Sequence, residues 1–347
     1  MTTLRVVVDD VLAPATATAG RIARAAVRAL SATAPAGAEV IGMVAASPES
    51  DYARLGELVP GLAGLEKHAL ARRELAAAWS RGLALPRRGA VHAPGLLAPL
   101  RRHDRLHDGD QLVVTIADAG AWTHPDLVAD ASWTRRMATR AERFADAVIA
   151  PTHAVADALR EHLALGDRVR VVPPVDPDPL PRPADPDRVA ERLGLPERYL
   201  LLVDPDPVAR ERVAQAIPRL GESLALVVAD ASVATEADLA VMIDRAGALV
   251  HADAVDRFAP AVRDALAAGT LVVAVSSPSV TELLGDAVET VPAEDEGEVP
   301  VLLAAELDRL LGDPDAAARA AVLGEDRSRA FDGRDAGRRL WELHAAL

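Results

Sequence analysis

The sequence predicts an α/β protein made of two doubly wound parallel-sheet domains. Three observations carry that prediction. Apolar runs of four to six residues alternate with amphipathic stretches of helix length, as in a parallel sheet covered on both faces by crossover helices. The alternation stops once, at Pro173–Pro183, where six prolines in eleven residues can continue neither a helix nor a central strand. It then resumes and runs to the end of the chain.

In the first part, apolar runs predict strands over Leu4–Val8, Glu39–Val44, Gln111–Ile116, Ala147–Ala150 and Val169–Val172. Between them, helical periodicity predicts helices over Arg21–Ala32, Glu66–Arg81, Ala131–Phe144 and Ala154–Leu163. These make a domain over residues 1–172. Residues 173–187, rich in Pro and Asp, read as a semi-extended linker. A second domain follows over 188–347, with strands at Tyr199–Val203, Leu224–Ala229, Ala248–His251, Leu271–Val275 and Ala287–Val291. Its helices are expected at Val208–Ile217, Glu236–Ala246, Ala261–Ala268, Val299–Leu311 and Ala316–Leu323. Gly269 suits the left-handed residue that ends a helix before a buried strand. The final segment, 335–346, reads as one more amphipathic helix, expected to pack back on the first domain. Two such domains facing one another predict a cleft, with ligands at the carboxyl ends of the strands.

Composition narrows the function. At 347 residues the chain can bury two cores, and a hydrophobic fraction of 50% excludes disorder. Aromatics are 3%, so Ala, Val and Leu must fill those cores. Lys67 is the single lysine among 38 basic residues, as GC-rich bacterial codon usage would give. With no cysteine, disulfides, thiol nucleophiles and Cys-zinc sites are excluded. There is no apolar leader and no run of 18 apolar residues, so a cytoplasmic location without a membrane span is expected. The first 172 residues carry 21 basic and 19 acidic side chains, and the remainder 17 and 33. So acidic a second half disfavours nucleic acid as a partner.

Several segments, taken in order, carry a resemblance. They are Thr115-Ile116-Ala117-Asp118, Trp122-Thr123-His124-Pro125, Ala145–Val155, Arg168–Pro174, Leu193–Tyr199 and Asp256–Ala274. Asp256 and Asp264 stand eight apart around Phe258. Together these segments resemble the retaining, family-4 glycosyltransferases. The resemblance implies the GT-B fold, two Rossmann-like domains facing a cleft. It further implies transfer of a sugar from a nucleotide diphosphate (UDP-, GDP- or dTDP-linked) to a glycan or lipid-linked acceptor. No cofactor or metal is implied.

Set against that family, the donor motifs are degenerate. Asp256 and Asp264 stand where the family has two glutamates, one on the donor sugar and one on the ribose. Shortening each by a methylene withdraws the carboxylate by about 1 Å, and such misplacement costs on the order of a hundredfold in rate. Arg257 and Ala259 replace glycines that let backbone approach a ligand. Ala117 replaces the family's histidine, leaving Asp118 to meet a hydroxyl and His124 on the acceptor side. Where the family has an Arg-Lys pair for the diphosphate, this chain reads Asp204-Pro205-Asp206-Pro207, with Arg210 and Arg212 the nearest cations. Two like charges about 4 Å apart cost about 4 kcal/mol at an effective dielectric of 20. Read from local signals alone, Asp206 is a helix cap and Pro207 the first helical residue. Gly20 and Arg21 remain from a glycine-rich turn. The stretch after Ala229 is too short for the helix and strand that relatives insert near the nucleotide. Arg135, Arg136, Arg140 and Arg143 on one helix are compatible with peripheral membrane contact.

The sequence thus points to a glycosyltransferase-like protein with little or no activity, a binding partner or scaffold in glycan biosynthesis, with an active glycosyltransferase as a candidate partner. The alternative is an active retaining transferase in which Asp256, Asp118, Asp264 and Arg210 or Arg212 do the work.

Overall fold

A computed structural model describes residues 2–83, 88–103 and 109–347. The chain begins with β1 (Thr2–Val7), α1 (Thr18–Ala32), β2 (Ala38–Ala46), α2 (Glu49–Leu58), β3 (Gly64–Ala71), α3 (Arg72–Trp79) and β4 (Ala90–Ala93). Next come β5 (Gln111–Thr115), α4 (Gly120–Thr123), α5 (Ala131–Phe144), β6 (Ala147–Ala150), α6 (His153–His162) and β7 (Val169–Val171). Then follow α7 (Pro186–Leu193), β8 (Tyr199–Val203), α8 (Pro207–Ala216), β9 (Ala225–Ala229), α9 (Glu236–Asp244), β10 (Ala248–His251) and α10 (Pro260–Ala268). The chain ends with β11 (Val272–Val275), α11 (Pro278–Leu284), β12 (Glu289–Val291), α12 (Val299–Gly312), α13 (Pro314–Arg329) and α14 (Gly333–Ala346).

The chain forms two compact units. One comprises Met1–Ala13, Ala19–Pro177 and Asp332–Leu347, and the other Pro14–Thr18 and Asp178–Phe331. The first unit holds a seven-stranded sheet in the order β3-β2-β1-β4-β5-β6-β7, and the second a five-stranded sheet in the order β12-β11-β10-β8-β9. Every pairing within the two sheets is parallel. Central strands are buried on both faces, as in Tyr199–Leu202 and Val272–Val275, which is why they read as unbroken apolar runs. In the first unit the strand order reverses between β1 and β4, and in the second between β8 and β10.

The second sheet stops at β9. Only Asp230–Thr235 separate it from α9, and no strand pairs with its outer edge among the described residues. No described helix is long and apolar enough to cross a membrane.

The helix expected over Glu66–Arg81 begins instead as β3. Glu, Lys, Ala and Leu favour helix locally, but pairing with β2 overrides that preference. β3 is an edge strand, and its charges are used there. Glu66 pairs with Arg5 at 2.9 Å, and Lys67 lies 3.8 Å over the Tyr52 ring. The linker expected over 173–187 runs into α7, which Asp185 caps through Arg188 N (3.0 Å), with Pro186 at its first position and Gly194 left-handed beyond it.

Candidate functional site

The carboxyl ends of β8 and β10 bring a group of charged side chains together, the buried Asp206 and Arg212 among them. β8 hands over to α8 through Asp204, Pro205 and Asp206. Asp204 has φ +48°, the left-handed region that Asp tolerates better than most side chains. Its Oδ2 accepts hydrogen bonds from Thr18 N (2.9 Å) and Thr18 Oγ1 (3.0 Å), on a segment of the same unit. Asp206 caps α8 by accepting from Ala209 N (2.7 Å), with Pro207 as the first helical residue. Its second oxygen accepts from Ala254 N at 2.8 Å. Neither carboxylate faces its neighbour as a bare charge, so the repulsion expected between them is spent on N–H and O–H donors.

Asp253 completes this corner, and sequence reading had passed it over. Arg257 donates to it from Nη2 (2.7 Å) and Nε (3.0 Å), and Asp206 N donates to its Oδ1 at 3.0 Å. Burial alone would raise the Asp253 carboxyl. His251, whose Nδ1 lies 3.7 Å away, and Arg257 outweigh burial and hold it below the usual carboxylate range. His251 is pushed down by burial despite the pull of Asp253. Arg257 Nη2 also donates to Asp204 O at 3.0 Å. Thus Arg257 fills space beside the β8–α8 turn with its own guanidinium. The i, i+4 spacing of Asp253 and Arg257 was the available signal.

The predicted site residues part company. Arg212 is buried, and Glu296 takes its Nε (3.1 Å) and Nη2, while Ala252 O takes its Nη1 at 2.7 Å. Arg210 stands exposed on α8. Asp256 accepts from Ser277 Oγ (2.6 Å), Ser279 N (3.1 Å) and Ser279 Oγ (3.1 Å), so its carboxylate sits on the N-terminus of α11. Asp264 lies within α10, with Arg263 Nη1 3.5 Å away. It lines a cavity of about 280 Å³ with Leu180, Arg182, Asp244 and Arg263, among others, to which neither Asp256 nor the β8–α8 turn contributes. Asp256 sits on α11, and Asp264 lines this cavity without it.

Helix N-termini are ready anion sites. In this unit the N-termini of α8 and α11 already hold the carboxylates of Asp206 and Asp256.

In the first unit, Asp118 follows β5, and its Oδ1 accepts from Gly120 N at 2.8 Å in the turn that leads into α4. Ala117 is half-buried beside it. His124 is half-buried, its Nδ1 3.0 Å from Thr123 Oγ1. Gly20 and Arg21 lie buried in the first turn of α1. There a Cβ on Gly20 would stand 2.9 Å from Ala13 Cβ, so this glycine serves close packing rather than a phosphate loop. A second residue missed by sequence reading, Asp9, is buried just past the end of β1, and its signal was an Asp-Asp pair at the carboxyl end of a predicted strand. Among the described residues there is no cluster of three metal-ligating side chains.

Solved structures with this architecture are glycosyltransferases and related proteins. HepE of Anabaena, in complex with UDP and glucose, superposes over 100% of both chains with a TM-score of 0.71 at 14% identity. Sucrose-phosphate synthase from Thermosynechococcus elongatus gives 0.63 at 18% identity, again over 100% of both chains. WaaG, a glycosyltransferase involved in lipopolysaccharide biosynthesis, gives 0.58 at 12% identity over 98% of this chain and 99% of its own. The chain has the GT-B fold. At these identities the likeness is one of fold. No protein-family profile matches the chain, and no curated protein sequence does either.

Proposed function

We propose that this GT-B protein performs little or no glycosyl transfer and serves as a binding partner or scaffold in glycan assembly. Its nucleotide-sugar corner is degenerate in the manner of a lapsed family-4 enzyme. One observation carries the reading: the two helix N-termini that would receive a diphosphate hold the protein's own carboxylates, Asp206 on α8 and Asp256 on α11. The nearby buried cation is committed as well, since Glu296 and Ala252 O take the Arg212 guanidinium. An incoming phosphate would have to displace charge-assisted bonds already made, losing the gain that such bonds give it elsewhere.

Calorimetric titration of the full chain with UDP-glucose, GDP-mannose and dTDP-glucose tests this. The expected result is no saturable heat with any of the three. Asp256→Ala, which frees the α11 N-terminus, should then acquire measurable nucleotide binding. Saturable binding by the unaltered chain, with turnover to free nucleotide, would overturn the proposal in favour of an active retaining transferase.

A further inference from the structure

The edge strands of the two described sheets are β3 and β7 on one, β12 and β9 on the other. An open edge offers unpaired N–H and C=O groups to any other strand, and proteins blunt it with charge, bulges or shortness. Three of these edges are blunted. β3 carries Glu66 and Lys67, and its register with β2 shifts between Val44 and Ala46. β7 is three residues long and carries Arg170, and β12 is equally short and carries Glu289. β9, Ala225-Leu226-Val227-Val228-Ala229, has five residues, no charge, no proline and an unbroken register with β8.

Hydrogen bonds to β8 fix which groups of β9 are open. Ala225 N donates to Arg198 O at 3.2 Å, and Ala229 O accepts from Asp204 N at 2.9 Å. A parallel strand turns alternate residues towards a given neighbour, so Ala225, Val227 and Ala229 face β8. Leu226 and Val228 therefore turn both N–H and C=O to the outer edge, where no described group bonds to them. At the carboxyl end the edge is closed, because Asp230 O accepts from Thr16 Oγ1 at 2.9 Å. Side chains hold the strand in place from both faces. Leu226 and Val228 pack on the cluster of Leu200 and Leu202, and Ala225 and Val227 on that of Tyr199 and Leu201. What the edge offers is its backbone.

We propose that β9 is the surface through which two copies of this chain pair, antiparallel about a two-fold axis at Val227. Leu226 then faces Val228 of the other copy, and Val228 faces Leu226, each pair exchanging two N–H···O bonds. The two Val227 side chains meet at the closer, non-hydrogen-bonded position as an apolar cross-strand pair. This register sets open groups against open groups. It also sets the flanking acids against uncharged residues, Asp230 opposite Leu224 and Glu222 opposite Ser232. An isologous second copy thus satisfies the whole open edge without a like-charge contact. The pairing involves the second unit alone and stands whether or not that unit takes a nucleotide.

Sedimentation equilibrium and amide hydrogen exchange of the full chain, over a range of concentrations, test this. The mass is expected to rise from 36.4 kDa towards twice that value with concentration. The Leu226 and Val228 amides are expected to exchange fast in dilute protein and about tenfold or more slower in the dimer, while the Val227 amide, already bonded to β8, changes little. Val228→Pro removes an outward donor and none that β8 uses, so it should keep the fold and hold the mass at 36.4 kDa. Should the proline disturb β9 itself, Leu226→Lys, a charge on the edge, should abolish the dimer in the same way. An unaltered chain that stays at 36.4 kDa throughout overturns the proposal. So does a dimer in which the Leu226 and Val228 amides remain fast, or one that both variants leave intact.

Discussion

Asp206 does three jobs with one side chain: it caps α8, accepts from Ala254 N, and lies 3.4 Å from Val255 N. Asp206→Ala removes the cap, worth about 1 kcal/mol. It also strands a buried N–H, worth about 1–3 kcal/mol. A loss of about 2–4 kcal/mol is expected in urea unfolding of the second unit, with Asp206→Asn losing less because one acceptor oxygen survives. The cap itself was legible in the sequence, because Asp followed by Pro at the first helical position is a local signal. The bonds to Ala254 and Asp253 were not legible. Those residues lie more than 40 positions away, and only the packing of β8 beside β10 brings them in. Arg212 and Asp256 teach the same point. Their charge invites a ligand on paper, yet Glu296 in one case and Ser277 and Ser279 in the other take that charge first. Charged residues of a candidate site are thus hard to read from sequence, because their partners are set by tertiary contacts.

Elements buried on both faces were the readable ones. β6, β8 and β10 have the bounds their apolar runs predict. β3 escaped because an edge strand with one neighbour carries helix-forming charged residues. α14 is amphipathic and was foreseen, but the seam that holds it depends on details below the reach of periodicity. A Cβ on Gly337 would stand 2.4 Å from Ala29 O, so only glycine allows so close a contact with α1. Trp341 Nε1 donates to Leu30 O at 2.9 Å. On β4, His92 Nδ1 lies 3.3 Å from His344 Nε2 of α14, both rings buried. Burial pushes His344 down to about 4, and burial together with His344 pushes His92 well down. The native state therefore binds fewer protons here than the unfolded chain. The stability of this seam is full above pH 6.5 and is lost as pH falls from there towards about 4. For His344 the shift corresponds to about 3 kcal/mol. Thermal unfolding followed from pH 7 to pH 4 should show the first unit weakening steeply. His344→Leu should flatten that slope. An unchanged slope in the variant would remove the histidine seam as its cause.

At the scale of the molecule, the alternation of runs and helices predicted two sheets, and two sheets are found. The path of the chain between them is a subtler matter. The first unit is discontinuous: it is completed by Asp332–Leu347, after the whole of Asp178–Phe331 has been laid into the second. Leu340, Trp341 and Leu343 of α14 belong to the same buried cluster as Val6, Val27 and Val40. Gly333 lies so close to Asp176 and Pro177 that a Cβ would fall 2.4 Å from Pro177 N. Stopping the chain after Phe331 therefore removes core from the first unit and none from the second. Burying a side chain of this size contributes about 1.5–3 kcal/mol, so losing three large ones approaches the entire stability of an ordinary domain. The truncated chain should show two separate transitions in calorimetry, the lower one belonging to the first unit, with the second unit's midpoint unchanged. Adding a peptide of residues 332–347 in excess should raise the lower transition and leave the upper one alone. If both transitions fall together on truncation, the two units unfold as one, and α14 is not the private support of the first.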